Sequence, residues 1–109
     1  MRAPFVLQMA PMPEDVLEAA ARDGVENLSR IGFTASRKVG GAVQRNRAKR
    51  RLRALAREVL AVGARHGFDY VLVARTPVLT CAYDRLRADL VAALRELERG
   101  GRRSREPSG

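Results

Sequence analysis

The sequence predicts a single α/β domain in which a small β-sheet is packed by helices. Three short segments have the apolar alternation, or the short apolar run, that is typical of strands. Two longer segments have apolar residues three and four positions apart, which is the spacing of helices that bury one face. The chain has 109 residues, of which 46% are hydrophobic, so one domain of this kind has enough apolar side chains for a core.

A strand, a helix and a second strand are predicted for the first part of the chain. Residues 3–9 have large apolar side chains at every second position, which predicts a strand. Residues 14–22 predict a short helix, because acids occupy the first turn and Gly24 follows as a stop. Residues 30–36 alternate again and predict the second strand.

A long helix, a third strand and a last helix are predicted for the remainder. Two adjacent glycines form a turn before the long helix, which covers residues 42–62. Its apolar residues share one face and are Leu52, Leu55, Ala56, Val59 and Leu60. The run at 68–74 predicts a strand that is covered on one or both faces, and residues 82–99 predict a helix. The domain therefore spans residues 1–99, and the polar, basic residues 100–109 predict a disordered tail.

Positive charge is concentrated in one stretch of the chain. The formal net charge is +9 at neutral pH. Residues 31–57 contain seven arginines, two lysines and no carboxylate, so this stretch carries a charge equal to that of the whole chain. Such a stretch repels itself, and a polyanion is its expected partner. Most of the cations are arginines, whose planar guanidinium groups suit phosphates and stack on bases.

The long helix presents part of this charge beside its apolar face. With about 100° between successive residues and Leu52 at zero, the apolar residues span about −60° to +80°. A second row lies at about 100° to 160° and consists of Asn46, Arg50, Arg53 and Arg57. Solvated helix faces usually mix acids with bases, and cations are unfavourable in the first turns of a helix. The second row is therefore predicted to bind phosphates.

Other features of the sequence argue against a disulfide-bonded protein, a membrane protein, a metal site and catalytic side chains. A single cysteine, Cys81, allows no internal disulfide and favours a reducing cytoplasm. No apolar run reaches the roughly 18 residues of a membrane helix, so no membrane partner is expected. His66 has no partner at metal-ligand spacing and is interpreted as a solvated loop histidine. No two carboxylates have a spacing suited to acid–base or metal chemistry, so no catalytic side chain is predicted.

The basic stretch closely resembles the signature of the bacterial ribonuclease P protein family. In that family a strand leads through a glycine turn into a helix that begins Ala-Val-x-Arg-Asn-Arg-x-Lys-Arg-x-x-Arg. The matching segments are Ser36-Arg37-Lys38, Gly40, Ala42-Val43, Arg45-Asn46-Arg47, Lys49-Arg50 and Arg53. The later strand and the last helix also resemble the family, and the likeness covers roughly residues 3–99.

The resemblance implies a fold and a function. The fold is an α+β sandwich, ribosomal protein S5 domain 2-like, with a left-handed βαβ crossover that departs from the usual right-handed rule. The protein would act in the cytoplasm as a monomer bound one-to-one to a catalytic RNA. That ribonuclease P RNA, with Mg²⁺ held mainly by the RNA, would remove the 5′ leader of precursor tRNA. The protein would bind the RNA and the leader.

Site residues follow from the charge pattern and the resemblance together. The expected RNA-binding residues are Arg37, Lys38, Arg45, Asn46, Arg47, Lys49, Arg50, Arg53 and Arg57. The residues expected to line a leader cleft over the sheet are Val6, Gln8, Thr34, Ser36 and Arg37. Arg45 and Asn46 would lie near the leader or a metal ion, and Asn46 is the one candidate metal ligand.

The chain departs from the family at its beginning. The family normally opens with a helix whose aromatic residues line the leader cleft, and here that helix is expected to be absent. Gln8 also occupies a position where relatives often have an aromatic residue. Contact with the leader is therefore a weaker expectation than contact with the RNA subunit.

Two other functions fit the same charge pattern. One is a ribosomal-type protein that binds a structured RNA and has no role in processing. The other is a DNA-binding protein that places the basic helix in a major groove. Stimulated cleavage of precursor tRNA distinguishes the ribonuclease P subunit from both.

Overall fold

The chain folds into a mixed β-sheet, and two long helices pack against one of its faces. A computed structural model describes residues 3–100 and 104–105. Its elements are β1 (Phe5–Pro11), α1 (Glu14–Arg22), β2 (Ser29–Ala35), α2 (Ala42–Gly63), β3 (Phe68–Ala74), α3 (Tyr83–Gly100) and β4 (Ser104–Arg105). The strand order in the sheet is β2-β3-β1-β4. The predicted α/β class is confirmed.

The strand pairing makes α2 the crossover between two neighbouring strands. β2 and β3 are parallel, and α2 lies between them in the chain. β1 pairs with the other edge of β3 in the antiparallel direction. The left-handed sense that the resemblance implies for this crossover stays a prediction. Among the described strands, β2 pairs only with β3, so its outer edge is open.

The two faces of the sheet differ in composition. Leu72 of β3 is fully buried and lies between Leu7 of β1 and Phe33 of β2 in register. The positions on either side of these three project to the opposite face, which neither α2 nor α3 covers. We call that surface the open face, and its central residues are Val6, Gln8, Gly32, Thr34, Val71 and Val73.

The predicted apolar face of α2 forms the centre of the core. Its fully or nearly fully buried residues are Ala48, Leu52, Leu55, Ala56 and Leu60. Val59 is half-buried and packs against the same cluster. On α3 the buried residues recur at helical spacing in the same way, and they pack against α2 and β1. Apolar burial along both helices therefore holds them against the sheet.

Most element boundaries agree with the sequence predictions to within two residues. β1 was predicted over residues 3–9 and instead continues to Pro11, because the Met12 amide donates to the Gly67 carbonyl at 2.9 Å. That hydrogen bond keeps the chain beside β3. None of the helices in the described part of the chain is long and apolar enough to span a membrane.

The predicted disordered tail falls mostly outside the described residues. Within residues 100–109, Gly100 ends α3, and Ser104–Arg105 form the short strand β4. β4 pairs with Leu7 and Gln8 of β1 in the antiparallel direction. The sequence predicted no strand here, because two residues carry no detectable periodicity.

A turn before α3 is held in place by the basic helix. The turn is a short 3₁₀ segment, Thr76–Leu79. Arg51 of α2 donates from Nη1 to the Val78 carbonyl at 2.7 Å and from Nη2 to the Cys81 carbonyl at 2.8 Å. On the other side, the Thr76 hydroxyl donates to the Lys38 carbonyl at 3.2 Å. Arg51 is therefore a structural arginine within the basic stretch.

The register predicts unequal losses of stability at two adjacent residues. Leu72→Ala removes a fully buried side chain from the centre of the packed face and should lower the free energy of unfolding by about 2–5 kcal/mol. Val71→Ala on the open face should cost less than half as much. Urea denaturation of both variants measures the difference. Equal costs, or a larger cost at Val71, would contradict the assignment of the faces.

Two neighbouring arginines of α2 should differ in their effect on stability. Arg51→Met leaves two carbonyls without their donor and should lower the free energy of unfolding by about 1–3 kcal/mol. Arg50→Met is the matched control, because Arg50 is exposed and a surface change of this kind usually stays within about 0.5 kcal/mol. Chemical denaturation should separate the two variants, and indistinguishable curves would refute the structural role of Arg51.

Candidate nucleic-acid interface

One flank of α2 carries the row of polar residues that the helical projection predicts. We call this row the arginine face, and its residues are Asn46, Arg50, Arg53 and Arg57. All four side chains are exposed. On the opposite flank, Glu58 accepts a hydrogen bond from Arg87 of α3 at 2.8 Å. The flank facing α3 is therefore used for packing, and the arginine face is directed to the other side.

The arginine face runs beside the open edge of β2. The guanidinium carbon of Arg53 lies 5.7 Å from the centre of the Phe33 ring. Phe33 is half-buried: it packs against the core cluster, and it also lines a groove between β2 and α2. This contact fixes where the arginine face lies relative to the sheet. Cations and an aromatic ring thus meet at the edge of the sheet.

No carboxylate among the described residues lies within ion-pair distance of the arginine face. The ion pairs identified among the described residues include Arg30 with Asp69, Arg85 with Asp89, and Arg87 with both Glu58 and Asp84. All of these lie outside the stretch 31–57. The guanidinium groups of the arginine face consequently repel one another without compensation, and an anionic partner would relieve that repulsion. The predicted binding of phosphates by this row is compatible with the geometry and stays a prediction.

The remaining predicted RNA-binding residues surround the beginning of α2. Arg37 and Lys38 are exposed on a short 3₁₀ turn, Arg37–Val39, in which the Lys38 amide donates to the Ser36 hydroxyl at 3.3 Å. Gly40 follows with φ 144°, a conformation that side-chain-bearing residues rarely adopt. The first turn of α2 has no side-chain cap, so its amides are open to an anion.

Three predicted cations of α2 lie outside the arginine face. Arg47 is exposed on the side away from the core. Arg45 and Lys49 are only half-exposed, because they project at about 20° and 60° on the scale that places Leu52 at zero, beside the packed residues. Their aliphatic stems therefore cover the core while their charged ends reach the surface.

The residues predicted to line a cleft lie together on the open face. Val6 and Thr34 flank Val73 in register, and Gln8 lies one row further along the same face. Ser36 and Arg37 follow directly after β2, at the end of that surface. The described aromatic residues of the strands have the opposite parity and project toward the core. The described strand residues of the open face therefore have aliphatic or uncharged polar side chains in its central rows, and none of them is aromatic.

An ion pair closes the far end of the open face. Arg30 binds both carboxylate oxygens of Asp69 at 2.7 Å. The hydrogen bonds that Arg30 donates to Asp69 hold the pKa of Asp69 below its ordinary value, and the same bonds raise the pKa of Arg30. The pair's stabilising effect is complete above the ordinary pKa of an aspartate and is lost as the pH falls through the lowered one. At neutral pH this end of the open face is neutralised, whereas the end at Arg37 is cationic.

The described residues form no cluster of side chains that could hold a catalytic metal ion. No group of three or more His, Cys, Asp or Glu side chains there is placed to hold a metal ion. Asn46 is exposed and offers a single amide oxygen. Mg²⁺ takes six oxygen ligands, so Asn46 fits a magnesium site only if another molecule supplies nearly all of the ligands.

Sequence reasoning missed three contacts that shape this surface. Arg51 turns inward, and Phe33 lies under Arg53. His66 is exposed as predicted, and its Nδ1 also accepts a hydrogen bond from the Leu28 amide at 2.8 Å. All three join residues far apart in the chain, and no local spacing in the sequence signals them.

Comparison with known proteins finds relatives of one family, and the match includes the basic stretch. The family model for ribonuclease P matches residues 2–98. The ribonuclease P protein component of Caulobacter vibrioides is 51% identical over 85 residues, which cover 73% of this chain and 57% of that protein. That of Ruegeria pomeroyi is 50% identical over 84 residues, which cover 75% of this chain and 67% of that protein. The chain thus spans little more than half the length of the Caulobacter relative.

Solved structures show the same fold at lower identity. The RNase P protein from Thermotoga maritima superposes with a TM-score of 0.62 at 24% identity, covering 84% of this chain and 76% of that one. The RNase P protein of Staphylococcus aureus gives a TM-score of 0.59 at 21% identity, with 87% and 75% covered. Because the family model matches almost the whole chain, the chain belongs to the bacterial ribonuclease P protein family.

Proposed function

We propose that the chain is the RNA-binding subunit of a cytoplasmic ribonuclease P that removes the 5′ leader from precursor tRNA. The observation that carries the proposal is the arginine face, which is exposed and has no acidic partner among the described residues. A surface of this kind suits the phosphates of a structured RNA. The family's proteins are named as components of ribonuclease P, which supports a catalytic RNA as the partner.

The chemistry is assigned to the RNA. The described part of the chain has no metal-holding cluster and no paired carboxylates suited to acid–base work. Mg²⁺ would be held mainly by phosphate oxygens of the RNA, and Asn46 would add at most one oxygen ligand. The protein contributes binding, orientation and neutralisation of charge in a one-to-one complex.

Two surfaces divide the binding between them. The arginine face would contact the catalytic RNA, together with Arg47. The open face would receive the leader, with Arg37 and Lys38 neutralising its phosphates at one end. Because the open face has no aromatic side chain in its central rows, the leader would be bound through phosphates and apolar contacts rather than by stacking on rings. Such a surface binds leaders with little preference for their sequence.

The alternative of a ribosomal-type RNA-binding protein is less favoured. It explains the arginine face, but it leaves the family relationship over residues 2–98 without a role. A DNA-binding protein would need a recognition helix free to enter a major groove, whereas α2 is buried along one face and flanked by β2 and α3.

A reconstituted cleavage assay tests the proposal. Mixing the full chain with a bacterial ribonuclease P RNA and precursor tRNA at low Mg²⁺ should stimulate cleavage at the 5′ end of the mature tRNA. The protein without the RNA should cleave nothing, because no catalytic side chain is predicted and no metal-holding cluster is found among the described residues. If the RNA cleaves at the same rate with and without the protein, the proposed function is wrong.

The salt dependence of RNA binding tests the arginine face separately. Each phosphate contact contributes about −0.7 to −0.9 to the slope of log affinity against log salt. The double variant Arg50→Ala, Arg53→Ala should therefore make the slope shallower by about 1.4 to 1.8. Arg95→Ala is the matched control, because Arg95 is exposed on α3 away from the arginine face and should leave the slope unchanged. An unaltered slope in the double variant would mean that the arginine face is merely solvated.

A further inference from the structure

A groove lies between α2 and the open edge of β2. Its volume is about 340 Å³, and its lining residues are Ile31, Phe33, Arg53, Ala56, Arg57 and Ala61. This is within the range of pockets that bind small organic groups, about 300–1,000 Å³. The floor is apolar, and the two arginines form the rim. No acidic residue lines it.

The groove continues into a more polar cavity at the same edge. That cavity measures about 400 Å³ and shares Ile31 and Ala61 with the groove. Asn27 and Ser29 line it, and both carry groups that hydrogen-bond. An apolar recess with a cationic rim is thus followed by polar groups. These three kinds of surface suit the three parts of a nucleotide: the apolar recess suits a flat base, the polar groups a ribose and the cationic rim a phosphate.

The stacking surfaces of the groove are Phe33 and Arg53. The ring and the guanidinium lie together at 5.7 Å, and single-stranded nucleotides are commonly recognised by bases that stack on aromatic rings or on arginine planes. Arg57 lies one helical turn beyond Arg53 on the same rim and has no carboxylate partner among the described residues. It is therefore free to bind the phosphate of the same nucleotide.

We propose that this groove takes one unpaired nucleotide of the RNA partner, with its base against Phe33 and Arg53 and its phosphate on Arg57. The proposal rests on the proposed function, since it gives that RNA a specific contact. It also assigns a role to Arg57, which lies beyond the motif that identifies the family. The positive charge of the rim favours an RNA strand as the occupant. A protein segment would need acidic side chains to complement that charge.

Filling the groove without altering charge is the most direct test. Ala61 is exposed and lines the groove, so Ala61→Leu should block the base while leaving every phosphate-binding residue in place. Affinity for a bacterial ribonuclease P RNA should fall about tenfold, which is typical of losing one stacked base, and the salt slope should not change. The matched control is Ala88→Leu, an exposed alanine on α3 outside the groove, which should bind as tightly as the original chain.

A second variant keeps the test valid if Ala61→Leu disturbs the helix. Phe33→Leu retains an apolar side chain for the core and removes the ring, so it should also weaken RNA binding with an unchanged salt slope. Thermal unfolding of both variants checks that the fold is intact. If both variants fold and bind RNA within about twofold of the original chain, the groove is not a nucleotide site.

The outcomes separate this inference from the proposed function. Weaker binding by Ala61→Leu, together with a shallower slope in the Arg50→Ala, Arg53→Ala variant, supports both. A shallower slope in that double variant with unchanged binding by Ala61→Leu and Phe33→Leu overturns the groove alone. Failure of the original chain to bind the RNA at all overturns the proposed function and this inference with it.

Discussion

The division of α2 into differently used flanks is the constraint on which the rest of the structure depends. One side is buried against the sheet through residues such as Leu52 and Leu60. A second side contacts α3 through Glu58 and the turn before α3 through Arg51. Cations placed on either side would lose hydration or need an acidic partner. The row formed by Arg50, Arg53 and Arg57 therefore lies on the flank beside β2, which sets the position of the proposed RNA-binding surface.

Local pattern was sufficient to predict most of the fold. Strand alternation and helical spacing located every element except β4 and the two 3₁₀ turns, because burial of apolar residues every second or every third to fourth position is what those elements require. The projection of α2 also predicted the arginine face. It did not reveal Arg51, whose partners at Val78 and Cys81 lie about thirty residues further along the chain. Charge counting treats Arg50 and Arg51 alike, and only tertiary contacts distinguish them.

The same limit applies to the sheet. Alternation assigns Phe33 to the packed face, but it does not indicate that β2 is an edge strand or that Arg53 lies over the ring. The groove arises because α2 crosses the sheet beside an unpaired edge. The open face, in turn, has Arg30 bound to Asp69 at one end and unpaired cations at the other. These features give the described part of the chain two distinct surfaces, which are the ones proposed to bind RNA.

The central claim is that the arginines of α2 divide into one structural residue and a set that binds phosphate. The most direct measurement follows the guanidinium Nη–H resonances by NMR while a bacterial ribonuclease P RNA is added to the full chain. Arg50, Arg53 and Arg57 should shift and become protected from exchange with water, whereas Arg51 should be protected before the RNA is added and should not shift. A shift of Arg51 together with the others, or no shift in any of them, would contradict the account.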